Sequence, residues 1–115
     1  MAEKDPENLR WQLDYSISLS GIGKLYQQKG EFPRSKECFL QVLDILRTLV
    51  AKAPDMVDST IELAFALLDL YQVTDHEYEK QAYHVDAAQI AKSLVDTGVQ
   101  HRDLNTLLNR LSIDL

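Results

Sequence analysis

The chain is poor in the features that mark several common classes of protein. It has one cysteine among 115 residues, so an internal disulfide is excluded. No stretch approaches the roughly 18 consecutive apolar residues of a membrane-spanning helix, and no signal-peptide pattern precedes Trp11. We expect no segment of the chain to form a strand. These absences favour a cytoplasmic, helical protein without a membrane partner.

Metal and cofactor chemistry has little support in the sequence. The only histidines are His76, His84 and His101, and their spacing does not match that of a zinc site. Cys38 lies beside Phe39 in an apolar stretch, where a core or boundary position is more typical than a reactive thiol. We therefore expect neither a metal nor a cofactor.

Nucleophilic and phosphate-binding motifs are also missing. Ser16, Ser18 and Ser20 lie in a helical stretch without the strand–turn–helix elbow of a serine nucleophile. Gly21 and Gly23 do not follow a strand, so they do not form a phosphate-binding loop. We therefore expect the chain not to be an enzyme.

Charge is distributed unevenly along the chain. The net charge is −6, of which residues 1–53 contribute 8 − 7 = +1 and residues 54–115 contribute 4 − 11 = −7. Nucleic-acid binding needs a basic surface, so this balance argues against it. The acidic half is compatible with a basic protein or peptide as partner. The alternative is that these carboxylates only solvate exposed helix faces.

A helical hairpin is predicted around Gly30. Gly23 lacks a side chain and allows a second helix to approach closely. Gly30 can adopt the left-handed conformation that ends a helix, and Pro33 suits the first turn of the next one. Apolar residues then recur at helical spacing. They are Phe39, Val42, Leu43, Leu46, Leu49 and Val50.

The whole chain divides into five predicted helices, at about 7–29, 33–53, 55–73, 76–97 and 101–113. Asp55 or Asp58 would favour the start of the third helix and Asp75 would cap the fourth, while Gly98 would end it. The third helix is apolar almost all round over residues 61–71, so we expect it to be central.

The fifth helix has one apolar stripe, which is typical of a capping helix. Leu104, Leu107, Leu108 and Leu111 form the stripe, and Asn105, Asn109 and Arg110 are expected to face outward. The alternative is that this stripe docks on a neighbouring chain.

Small, aromatic and apolar residues recur at set offsets in the first half of the chain. They are Leu19, Ile22, Gly23, Tyr26, Gly30, Phe32, Ser35 and Phe39, and Pro54 follows them. This pattern resembles the tetratricopeptide repeat, in its extended bacterial form, in which Pro54 would close the unit. The segment 6–18 is similar to the lead-in of bacterial repeat arrays. Trp11, in the lead-in, is expected in the core or as a hydrophobic staple rather than as an anchor in a groove.

A second, weaker copy follows when Tyr26 is aligned with Tyr71, a shift of 71 − 26 = 45 residues, although Leu68 then replaces Gly23. The resemblance implies an all-α fold in which antiparallel helical hairpins stack as a short right-handed solenoid. We expect one domain, 1–115, with units at about 7–53 and 55–97 and a C-terminal capping helix at about 101–113.

The resemblance also implies a place for a ligand, because the first helix of each unit lines a concave groove in this family. A mixed polar row of this kind suits an extended peptide or a helix. The residues at these positions are Ile17, Ser20, Lys24, Gln27, Gln28, Glu62, Phe65, Asp69 and Gln72. The alternative is that they are inert solvent-facing residues.

The function predicted from the sequence is therefore non-enzymatic. We expect a scaffold or adaptor that binds a segment of another protein in this groove. The alternative is a structural or oligomerisation segment of a larger protein, which self-associates through the fifth helix.

Overall fold

The computed structural model describes residues 6–114 and, within them, the side chains of residues 8–112. All its regular elements are α-helices, so the predicted all-α class is confirmed. They are α1 (Pro6–Gln28), α2 (Phe32–Lys52), α3 (Val57–Val73), α4 (Glu77–Asp96) and α5 (Leu104–Asp114). The largest boundary difference from the prediction is 104 − 101 = 3 residues, at the start of α5. Residues 1–5 and 115 of the predicted domain lie outside the described range.

Helices that follow one another along the chain pack together. α1 contacts α2, α2 contacts α3, α3 contacts α4, and α5 lies on both α3 and α4. Because the connections are short, consecutive long helices form antiparallel neighbours. The contact between α1 and α3 is sparse. This arrangement is a helical bundle with an opening between α1 and α3.

The core is centred on α3, as its all-round apolar sequence predicts. Helices α2, α4 and α5 cover it from different sides, and α1 adds Leu13 at its edge. Burial on several sides explains why α3 is apolar over most of its circumference. Its buried side chains are Ser59, Ile61, Leu63, Ala64, Ala66, Leu67, Leu68, Asp69, Leu70 and Val73.

Two glycines end helices by the same hydrogen-bond pattern. Gly30 after α1 and Gly98 after α4 have φ of +78° and +74°. After α1, the N–H of Glu31 donates to the carbonyl of Tyr26 at 2.9 Å, and the N–H of Gly30 donates to that of Gln27 at 3.0 Å. This is the Schellman arrangement, which needs a left-handed residue that glycine adopts without strain.

The predicted cap of α4 is wrong by one residue. His76, not Asp75, occupies the N-cap position, and its Nδ1 accepts a hydrogen bond from the backbone N–H of Glu79 at 3.4 Å. An imidazole nitrogen can replace a carboxylate here because the free N–H groups of the first turn need only an acceptor. At α3 the N-cap is Met56 without a side-chain bond, while Asp58 lies in the first turn as expected.

The closest approach between helices lies where Gly23 of α1 crosses α2. A β-carbon built on Gly23 would lie 2.7 Å from Cε1 of Phe39 and 3.2 Å from Cβ of Cys38. The hydroxyl of Ser35 donates to the carbonyl oxygen of Gly23 at 2.8 Å. Phe39 and Ser35 are both fully buried. The absent side chain at position 23 is therefore what allows the ring and the hydroxyl to reach the backbone of α1.

Some positions of the repeat pattern are exposed. Ile22 and Phe32 have about half of their surface exposed, and Trp11, which was expected in the core or as a hydrophobic staple, is 67% exposed and stacks on Tyr15. Trp11 and Ile22 lie on a side of α1 that its neighbours do not cover, and Phe32 is the first residue of α2. Leu19 and Tyr26 are half-buried.

Replacing Gly23 by Ala should lower the free energy of unfolding by about 1–3 kcal/mol, because the new methyl group overlaps a ring that is packed on all sides. Gly21→Ala is the matched control on the same helix, since no atom lies within 4 Å of its β-carbon. That control should be neutral or stabilising by about 0.5–1 kcal/mol. Urea denaturation measures both values, and equal effects would contradict the tight crossing.

Candidate functional site

The nine residues predicted to line a groove lie along one continuous depression. Three adjoining cavities of about 640, 390 and 450 Å³ form it. The first two share Glu62 and Asp103, and the last two share Lys24, Asp69 and Arg110. We call this depression, between α1 and α3, the central groove. Each of the nine residues lines at least one of the three cavities.

Helix α5 and the segment before it form a wall of the groove that the sequence did not predict. Asp103, Thr106 and Arg110 all line the middle cavity. Arg110 was expected on the outside, but its guanidinium donates to Asp69 at 3.2 Å and lies 5.5 Å from the centre of the Phe65 ring. The spacing of 103, 106 and 110 is that of one helix face beside the leucine stripe. That spacing was the feature of the sequence from which this wall could have been predicted.

The leucines of α5 pack against other helices of the same chain. Leu104, Leu107 and Leu111 are buried in the core, and Leu108 is half-buried against it. Burial of this stripe fits the predicted capping role. Self-association through α5 stays an untested prediction, but the stripe that suggested it is not available on the surface.

Asp69 is the most buried carboxylate of the groove, with 3% of its surface exposed. Burial raises its pKa, and this outweighs the attraction of Lys24 and Arg110. The hydrogen bond from Arg110 gives this carboxylate a direct cationic partner, without which its burial would be costly. The ion pair ties α5 to α3 across the floor of the groove.

One end of the groove is closed by a second set of charges. Asp58 accepts hydrogen bonds from His101 at 2.5 Å and from Arg10 of α1 at 3.1 Å. These two bonds, that of His101 first, lower the pKa of the Asp58 carboxyl. Asp58 therefore joins α1 to the segment that precedes α5. At the other end, Gln27 of α1 donates to Gln72 of α3 at 3.3 Å.

Between these ends the middle of the groove carries excess negative charge. Burial and the nearby Asp103 raise the pKa of Glu62, with Lys24 acting against them. Asp69 and Asp58 contribute further repulsion. Among the described residues, no cationic nitrogen forms an ion pair with Glu62. The groove is thus held by matched charges at its floor and one end and has an unmatched carboxylate at its centre.

The remaining groove residues differ in exposure. Lys24, Gln28 and Gln72 are exposed, whereas Ser20 and Phe65 are half-buried. The guanidinium of Arg110 partly covers the Phe65 ring. Ile17 is exposed at the edge of the groove. The surface therefore offers polar side chains and one partly accessible aromatic ring.

Other residues of types that could carry out chemistry lie apart from the groove or already form a hydrogen bond. His84 is buried beside the Tyr71 ring, at 5.2 Å between ring centres. Burial and the charge of Glu37 raise the pKa of the Cys38 thiol, which disfavours the reactive thiolate. Ser16 is buried and donates to the Leu13 carbonyl at 2.7 Å. Within residues 8–112, no three His, Cys, Asp or Glu side chains are grouped so that they could hold a metal ion.

Comparison of the chain with models of protein families, with curated proteins and with solved structures gives no match. None of the described helices combines the length and the apolar character needed to cross a bilayer. The geometry of the groove is therefore the basis for a functional proposal.

Replacing Glu62 by Gln should increase the free energy of unfolding at pH 7. The folded chain raises the pKa of Glu62 above its unfolded value, so ionisation of this group opposes folding. The gain should be largest above the folded pKa, should shrink as the pH falls through it, and should vanish below the unfolded value of about 4.5.

Urea denaturation of both proteins at several pH values between about 4 and 8 measures this difference. Glu37→Gln, on the exposed surface of α2, is the control for the loss of a helical carboxylate. A gain for Glu62→Gln that does not change with pH would contradict the assignment.

Proposed function

We propose that the chain is a tetratricopeptide-like helical stack that binds a basic segment of another protein in the central groove, without catalysing a reaction. Two features support the repeat interpretation. The helices pair as α1 with α2 and α3 with α4, and Gly23 lies at a close crossing as that family's pattern requires. Helix α5 lies on α3 and α4, where the first helix of a third unit would lie.

The unmatched carboxylate of Glu62 is the observation on which the choice of partner depends. A lysine or arginine side chain entering here would meet Glu62 and Asp103 in a partly desolvated site, where an ion pair is stronger than at an open surface. The attraction of the same cation would oppose the burial and the repulsion that together raise the pKa of Glu62. An acidic segment would be repelled.

The dimensions of the groove suit a short segment. From Asp14 to Gln28, its wall on α1 is about 21 Å long, at 1.5 Å per residue. A strand rises about 3.3 Å per residue, so six or seven extended residues would fill it. Exposed glutamines at positions 28 and 72 can bond a peptide backbone at one end, and Arg10 and Asp58 border the other.

An array of immobilised seven-residue peptides of random sequence, grouped by net charge, tests this proposal. The purified chain, labelled at its N-terminus, should be retained most strongly on peptides with two or more basic residues. Glu62→Lys should weaken this retention by about tenfold or more, because it replaces attraction at the groove centre with repulsion.

The matched control is Glu37→Lys, which makes the same change in net charge on the exposed face of α2. It should retain the basic peptides as well as the unmodified chain does. Equal losses in both variants would mean that only the net charge matters, and a preference for acidic peptides would refute the proposed partner.

A further inference from the structure

Helix α1 carries a second apolar surface that faces neither the core nor the groove. Trp11, Tyr15, Ile22 and Leu25 are 67%, 50%, 47% and 56% exposed, and none of them belongs to the buried core. With Ser18, which is also exposed, they form what we call the outer stripe. At 3.6 residues per turn, the stripe lies about 150° around α1 from the core residues Leu13, Ser16 and Gly23.

The spacing of the outer stripe is that of a helix-pairing surface. Positions 11, 15, 18, 22 and 25 are separated by four, three, four and three residues, which is the heptad spacing of coiled coils. Such spacing keeps one line of side chains facing a partner helix over about 21 Å. The Trp11 and Tyr15 rings are already stacked, with centres 6.1 Å apart and planes 7° apart.

We propose that the outer stripe is a self-association surface, on which α1 of a second copy of this chain packs antiparallel about a two-fold axis near Ser18. The stripe is self-complementary in this arrangement. Its aromatic half, Trp11 and Tyr15, would lie against the aliphatic half, Leu25 and Ile22, of the other copy. The two Ser18 side chains would meet at the axis, where their small size permits close approach. This inference is independent of the groove, since no residue of the outer stripe lines it.

The charge distribution favours a second copy at this surface. The chain as a whole has a net charge of −6, which opposes association, but residues 1–53 have a net charge of +1. The outer stripe itself contains no charged residue. Two copies that meet through α1 would therefore keep their acidic halves apart and bring no like charges together at the centre of the contact.

The area of the outer stripe sets the expected affinity of the dimer. The four exposed side chains offer roughly 450 Å² per copy, so that two copies would bury roughly 900 Å² before the flanking residues are counted. This is less than the roughly 1,200 Å² at which stable specific interfaces begin and is in the range of weak, transient ones. We therefore expect a reversible dimer with a dissociation constant on the order of 100 μM.

Sedimentation velocity over a dilution series from about 10 μM to 1 mM tests the proposal, because that range brackets the expected dissociation constant. The unmodified chain should shift from monomer to dimer. Ser18→Glu and Ser18→Lys should each raise the dissociation constant by about tenfold or more, since like charges would meet at the axis. Both substitutions suit an exposed helix position, so folding should be preserved. An equimolar mixture of the two variants should recover the dimer, because opposite charges then meet.

Ser93→Glu, at an exposed serine of α4, is the matched control and should associate like the unmodified chain. A second measurement uses Ser18→Cys in a Cys38→Ser background, which should form a dimer disulfide under mild oxidation, whereas Ser93→Cys in that background should not. Three results would each overturn the proposal. These are a monomer at every concentration, a dimer unaffected by Ser18→Glu, and a mixture that fails to recover association.

Discussion

The crossing of α1 and α2 at Gly23 is the constraint on which the arrangement of the helices depends. The Phe39 ring occupies the space that a side chain at position 23 would need, and the Ser35 hydroxyl bonds the Gly23 carbonyl from the same side. A larger residue would hold α1 away from α2. Because α2 also packs on α3, the position of α1 relative to α3 is set by this contact more than by the few direct contacts between α1 and α3. The width of the central groove therefore follows from a glycine that does not line it.

Ion pairs in the groove also hold the helices in position, in addition to the crossing at Gly23. Asp58 links α3 to Arg10 of α1 and to His101 in the segment before α5, and Asp69 links α3 to Arg110 of α5. Exposed ion pairs such as that of Arg10 contribute little to stability. The nearly buried Asp69 is different, because loss of Arg110 would leave a desolvated charge. The ion pair between Asp69 and Arg110 therefore fixes the floor of the groove. The two bonds of Asp58 hold its end less rigidly.

Local sequence patterns were sufficient for the helices, whereas the first two walls of the groove were predicted only from the family resemblance. Helix ends at Gly30 and Gly98 follow from backbone conformation alone, and the core face of α2 follows from periodicity. Periodicity could not place Trp11 and Ile22, because α1 has apolar residues on two sides and the pattern does not say which side is covered. Arg110 was misplaced for a related reason. A polar residue beside an apolar stripe can face solvent or a buried carboxylate, and the choice depends on Asp69, 41 positions earlier in the chain.

Helix α1 combines three surfaces that make different physical demands. One side carries the small residues Ser16 and Gly23, which allow α1 to lie close to α2 and the core. A second side carries Lys24 and Gln28 into the groove, where charge decides what can enter. The outer stripe is uncharged and apolar, so its free energy of contact comes from removal of apolar surface from water. Salt should therefore weaken contacts in the groove far more than contacts at the stripe, because it screens the former and leaves the latter largely unchanged.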